Sequence, residues 1–276
     1  MKILYIILNV LKFLFIITLV SIAIVPFLWV FINSFKSNSQ ILSSVAGFPD
    51  GLVIKNYWNA FKLAPFVIFY RNSVIVTVIS TCLNVFILSM SAYVLARYRF
   101  KFNNALVLLF SVGLVIPGAA LLQPLYKTLI ATSLYNTLTG LIITYAAFGI
   151  PITLYIMMSY FKTIPESLEE AAYIDGASFL RTYFQIILPL SKPALATAAV
   201  LQFLLCWNEF QFALTLTKDV SKRTLPIALY YFKSAFASDY GAMFSAVILV
   251  TIPSIIFFII MQKQVISGLV AGAIKS

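Results

Sequence analysis

The chain carries few groups able to do covalent chemistry. It has no histidine, two cysteines and eight carboxylates in 276 residues. Histidine is the side chain that titrates near neutral pH without help, so the usual general base is missing. Cys82 and Cys206 both lie inside long apolar runs, which points to neither a disulfide framework nor a zinc site. No G-x-x-x-x-G-K-[ST] stretch occurs, and no G-x-G-x-x-G follows a strand pattern, so the chain shows no means of binding or cleaving ATP. Of the acids, only Glu209 lies within an apolar run. A carboxylate at membrane depth is expensive and faces a polar interior, a partner or a pathway. Gln202, Cys206 and Glu209 fall on one helical face, with Asn208, Gln211 and Thr215 on an adjacent polar one, so this broad side should be buried in a bundle. Glu209 then either carries a proton or lines a path, or it sits near the outer boundary and hydrogen-bonds a neighbouring helix. Tyr145, Phe148 and Tyr155 fall near one face of another run. Their rings either stack on the apolar face of a sugar or belong to an ordinary membrane interface.

A second group of polar residues sits between apolar runs. Over 163–189, Thr163 and Glu166 have the spacing of a capping box, and Pro165 stands in a first turn. Leu168, Ala171 and Ala172 share a face, and Gly176 falls where a short helix needs a left-handed residue to stop. Ser178 can cap a second helix whose Leu180, Tyr183, Phe184 and Ile187 share a face, and Pro189 closes it. Helix, glycine turn, helix, with a small flat alanine patch exposed at a membrane surface, is a docking device.

Composition determines what must position these groups. Hydrophobic residues make up 62% and charged residues 10%, against roughly 25% charged in soluble domains. A chain solvated by lipid must satisfy its backbone within helices or a closed barrel, and long apolar runs select helices. The expectation is an all-α integral membrane protein, one transmembrane domain over 1–276, with six spans of about 20 residues. These fall at about 10–32, 72–96, 105–125, 138–160, 193–216 and 242–262, with the polar insert between the fourth and fifth. Asn72 or Ser73 can cap the second span; Gly113, Pro117, Gly118 and Pro124 break the third. The short loop with Arg97, Arg99 and Lys101 contrasts with Lys127 alone in the next, which places the former, the insert and both termini in the cytoplasm. The net charge of +11 thus reads as membrane topology, not nucleic-acid binding. Gly268 and Gly272 match G-x-x-x-G but lie beyond the last expected span.

Glu170-Ala171-Ala172, Gly176, Ile186 and Leu188-Pro189 together resemble, in full spacing, the EAA loop of binding-protein-dependent ABC importer permeases. The resemblance extends to Ala92-Tyr93-x-Leu95-Ala96-Arg97, Trp207-Asn208-Glu209-Phe210, Thr224-Leu225-Pro226 and the tail from Gly268, and so to the carbohydrate branch of maltose-permease type. It implies a permease of a prokaryotic plasma (inner) membrane, not an enzyme, with Glu170, Ala171, Ala172, Asp175 and Gly176 coupling to an ATPase. It also implies a second permease chain, two ATPase subunits that bind ATP and Mg, and an extracytoplasmic solute-binding protein. ATP-driven alternating access would then move a sugar or oligosaccharide along a path whose candidate residues are Tyr145, Phe148, Tyr155, Gln202, Asn208 and Glu209. Rival readings are a permease for another solute such as a glycerol phosphate, and an ion-coupled secondary transporter with Glu209 as proton carrier.

Overall fold

The computed structural model describes residues 2–43, 47–232 and 239–273, and side chains within 4–43, 47–232 and 239–264. In chain order its α-helices are α1 (Lys2–Asn33), α2 (Asn38–Ser43), α3 (Lys55–Leu63), α4 (Phe66–Arg97), α5 (Asn103–Val112), α6 (Leu122–Ala131), α7 (Leu138–Phe148), α8 (Ile150–Phe161), α9 (Ser167–Ile174), α10 (Phe179–Thr182), α11 (Leu188–Leu190), α12 (Lys192–Trp207), α13 (Gln211–Leu216) and α14 (Tyr240–Ala273). A π-turn, Tyr183–Ile187, joins α10 to α11, and no strand occurs among the described residues.

Among the described residues, three helices are long and apolar enough to cross a membrane: Leu4–Asn33, Phe66–Arg97 and Tyr240–Gln264. Two more spans arise only as bent pairs, Leu138–Phe148 with Ile150–Phe161 at 44°, and Phe179–Leu190 with Lys192–Trp207 at 76°. The expected third span is not one helix. α5 stops at Val112, Pro117 is extended (φ −66°, ψ 131°), and a 3₁₀ turn at Gly118–Leu121 precedes α6. Pro117 has no N–H to continue a helix, which accounts for the break. The expected fifth span ends at Trp207 and restarts at Gln211. α4 begins six residues before the expected cap at Asn72, which instead lies inside it, and α14 runs on past Gly268 and Gly272; the side chains there, like Lys233 in the preceding loop, lie outside the described residues.

The chain forms two compact units, one of residues 1–65 and 228–252, the other of 66–227 and 253–276. In the first, α1 exposes apolar side chains along most of its length. The turn after it is held by Asn56, whose amide donates to Ser34 O (2.9 Å) and Lys36 O (2.8 Å), while Ser245 donates to Ser34 O at 3.2 Å. Asn59 reaches Asp239 at 3.0 Å, and Asp239 caps the start of α14 through Ala242 N (3.0 Å).

The second unit is built on α4, which packs against α7, α8 and α12. A polar stripe along α4 secures the backbones around it. Asn72 donates to Ser221 O and Arg223 O, both at 2.9 Å, and Ser73 accepts from Leu225 N at 2.7 Å. Lower down, Ser80 donates to Ile142 O (3.1 Å) and Asn84 to Ala146 O (2.7 Å), while Thr153 donates to Asn84 at 2.7 Å. Such bonds satisfy carbonyls near the break between α7 and α8, where lipid could not. Apolar clusters form around these contacts. One, around Tyr93, Met157, Phe161 and Tyr183, lies at the end of α4 near the insert; another gathers Val76, Leu141, Tyr145, Phe212 and Leu216.

Candidate functional site

The insert is fastened to the last two turns of α4. Glu169, 7% exposed, places Oε1 2.7 Å from Arg97 Nε, an ion pair without the alignment of a hydrogen bond, and accepts from the Tyr93 hydroxyl on Oε2 at 2.9 Å. Arg97 also donates to the Ile164 carbonyl, and Glu166 lies 3.7 Å from it. Tyr98 and Tyr173 share a hydroxyl hydrogen bond of 2.6 Å, and Tyr183 donates to Ser89 at 2.8 Å. The Phe179 ring stacks on Tyr93 with centroids 5.5 Å apart, and Phe161 meets Tyr93 edge-on at 5.6 Å. Burial, and after it the bond with Tyr173, pushes the Tyr98 phenol up to about 12, so this hydroxyl stays protonated at neutral pH. Segments 92–97 and 169–183, apart in sequence, thus close into one joint.

Within the insert some expectations hold and others fail. Gly176 has φ +78°, the left-handed turn expected, and Ser178 caps α10 by accepting from Arg181 N at 3.4 Å. The capping box does not form. Arg97 draws Glu166 toward itself, Thr163 donates back to Tyr160 O at 2.7 Å, and α9 starts without a side-chain cap. The alanine patch is split: Ala171 is exposed, but Ala172 is 5% exposed and packs inward. Glu170, Asp175 and Gly176 are exposed with Ala171, and so is Ile174, at 86%. After Ser178 the single apolar face is interrupted. Pro189 has no N–H to offer Gln185 four residues back, the turn widens so that Leu188 N bonds Tyr183 O, and Tyr183 and Ile187 are buried while Leu180 and Phe184 stay exposed.

The second site gathers three of the six pathway candidates. Tyr145, fully buried, donates to Glu209 Oε2 at 2.7 Å, and Gln202 donates to Tyr145 O at 2.9 Å and lies 3.3 Å from Cys206 Sγ. Glu209 also accepts from Phe212 N (2.7 Å) and Ala213 N (2.9 Å), so its carboxylate caps α13. Gly149 is required here: a Cβ would come 1.8 Å from Gln202 Oε1. Phe148 stands beside this group, its ring 4.3 Å from that of Phe212. Tyr155 does not join it. The 44° bend carries it onto α8, where it is 69% exposed. Asn208, Gln211 and Thr215 are likewise exposed, so of the broad side expected to be buried the Gln202–Cys206 face is buried and the Asn208–Gln211–Thr215 face is not buried by this chain.

Glu169, Tyr93, Ser89 and Asn84 are contacts that sequence reading passed over. The signal for Glu169 was present in its position three residues before Ala172, the buried side of α9, and in the lone Arg97 at the end of an apolar run.

Known proteins share this chain's sequence and its fold. It is 36% identical to the diacetylchitobiose uptake system permease protein NgcG of Streptomyces coelicolor, over 92% of this chain and 85% of that one. It is 36% identical to the trehalose/maltose transport system permease protein MalG of Thermococcus litoralis, over 92% of each. A crystal structure of a bacterial ABC transporter that imports the acidic polysaccharide alginate contains a chain of the same fold, with a TM-score of 0.79 at 24% identity over 93% of this chain and 96% of that one. Residues 85–269, which hold both the joint at Glu169 and the cap at Glu209, match one family model, and the chain belongs to that family, the binding-protein-dependent transport system inner membrane component.

Proposed function

We propose that this chain is the permease subunit of an ABC importer for a sugar or oligosaccharide, and that the 163–189 insert couples it to ATPase subunits. One observation carries the coupling reading. The insert is bolted to α4 through Glu169, and Ala172 is buried beside it, while Glu170, Ala171, Ile174, Asp175 and Gly176 are exposed among the described residues. An isoleucine 86% exposed beside a flat alanine suits a partner surface. The ion pair and the aromatic cluster would pass movement of that surface to α4 as one rigid piece.

In this reading the chain has six spans, the third and fifth interrupted, with the insert and both termini cytoplasmic. A second permease, two ATPases holding ATP and Mg, and an external solute-binding protein complete the assembly, and no bond of the solute is made or broken. The solute class rests on the relatives, whose names specify diacetylchitobiose and trehalose/maltose. Glu209, with both oxygens occupied by fixed donors, serves as a cap and not as a proton carrier. Tyr145, Gln202 and Glu209 form the wall behind the path. The exposed Asn208, Gln211 and Thr215 supply its polar surface, since polar groups at membrane depth need a polar neighbour.

The test is uptake in proteoliposomes holding the assembled complex and its binding protein. Labelled oligosaccharide should accumulate only with internal ATP. Uptake driven by an ion gradient without ATP would contradict the reading, and uptake competed by glycerol 3-phosphate but not by sugars would overturn the solute class.

A further inference from the structure

A cleft of about 540 Å³ opens between the end of α4, the 98–102 turn, the start of α5 and the end of α8. Arg97, Arg99, Lys101 and Lys162 line it, and Glu166 is the only acid among the lining residues. Arg97 is already matched by Glu169, and Glu166 leans toward Arg97. Three cations from two walls, two on the turn and Lys162 at the C-terminus of α8, therefore face one cleft without a carboxylate among the described residues to balance them. The same cleft has an apolar side, with Val107 and Met158 in its lining. Beyond it α5 buries no residue, and Leu108 and Leu109 are 66% and 64% exposed. Phe100 and Phe102 alternate with Arg99 and Lys101 and are exposed at 42% and 61%.

A small anion would satisfy the cations and leave the apolar wall bare; a neutral lipid would do the reverse. Cations ending an apolar groove, with rings interleaved, suit an amphiphile at a membrane surface. We propose that this cleft binds the phosphodiester headgroup of an anionic phospholipid of the cytoplasmic leaflet, its acyl chains lying along α5. The inference rests on the cytoplasmic placement of the 98–102 turn given above. A lipid seated there would abut Arg97, the residue that anchors the insert.

The experiment uses the assembled transporter in nanodiscs, with phosphatidylglycerol titrated into phosphatidylcholine and retained lipid counted by native mass spectrometry. Wild type should prefer phosphatidylglycerol at least about tenfold. Arg99→Gln/Lys101→Gln/Lys162→Gln should fall to near parity, and Lys162→Gln alone should lose roughly fivefold, as expected for about 1 kcal/mol per cation. Arg99→Lys/Lys101→Arg should keep the preference. An unchanged preference in the triple variant, or in Lys162→Gln should the triple fail to assemble, overturns the proposal. So does displacement by inorganic phosphate, which marks a free-anion site, or loss of ATPase subunits with lipid preference intact, which marks a protein-facing surface. ATP-driven uptake is read on the same preparations: its absence with lipid preference retained counts against the importer reading and leaves the lipid site standing.

Discussion

Two carboxylates of the larger unit, Glu169 and Glu209, each accept a hydrogen bond from a buried tyrosine of a neighbouring helix, at 2.9 Å and 2.7 Å. They differ in what else holds them. Glu169 meets a guanidinium whose side chain is 6% exposed, whereas Glu209 meets two backbone amides at the start of a short helix. The first ties two segments distant in sequence; the second shapes the backbone within four residues of itself. A joint between segments is matched by a full opposite charge, and a local cap by dipoles. The consequence lies in what removal leaves behind: at one site a buried cation with only the Ile164 carbonyl and the exposed, more distant Glu166, and at the other only neutral donors.

Glu169→Ala therefore carries the largest expected effect. Breaking a buried pair by removing one partner costs roughly 3–5 kcal/mol, and the Tyr93 hydroxyl loses its acceptor as well. The thermal midpoint of the purified complex should drop, and the ATPase subunits should separate from the chain. Arg97→Met together with Glu169→Leu should be milder than either single change, because no charge is stranded. If the double variant is as damaged as the sum of the singles, the pair is not coupled and the contrast with Glu209 fails.

Glu209→Gln should cost less, about 1–2 kcal/mol, the scale of a lost cap with one donor still accepted. ATP-dependent transport should persist at a substantial fraction of wild type. Abolished transport in a complex of unchanged stability would make Glu209 a proton carrier or a gate and put its role on a par with that of Glu169.

Gly176→Val sharpens the comparison on the coupling side. No atom lies within 4 Å of an added Cβ, so the cost is the left-handed backbone alone, about 1–2 kcal/mol. Insertion of the spans should be unaffected, with hydrolysis partly uncoupled from transport. Equal transport and hydrolysis to wild type would remove the turn from the coupling path. The smallest effect concerns Tyr98. Its phenol ionises near pH 12 in the folded chain against about 10 when unfolded, so its contribution is intact below pH 10 and is lost as pH rises toward 12. Tyr173→Phe should lower that midpoint only partly, since burial is the larger cause; a difference titration of tyrosinate absorbance against Tyr98→Phe reads it. A complete return to the ordinary value would mean that the hydroxyl pair, and not burial, sets it.

What sequence could reveal followed from spacing and from special residues. Gly176 and Ser178 announce a turn and a cap by type, and both form. Periodicity misled where the helix itself changes. The faces drawn through Tyr145 and Tyr155, and through Leu180 to Ile187, assumed unbroken helices, but a 44° bend and a π-turn intervene. Thr163 and Glu166 had the right types for a box, but Arg97, distant in sequence, takes the carboxylate. Glu169 stayed hidden for the same reason: a charge beside an exposed charge looks solvated until its partner across the fold is known.

In the proposed coupling α9 turns Glu169 inward to Arg97 and Tyr93 of α4, buries Ala172 and offers Ala171 to an ATPase. A photo-crosslinking residue placed at Ala171 in the assembled transporter tests it most directly, with one at Ser43, expected on the opposite side of the membrane, as control. An adduct with the ATPase subunit is expected from Ala171 alone, changing in yield between nucleotide-free and ATP-bound states. No adduct from Ala171, or an ATPase adduct from Ser43, would contradict it.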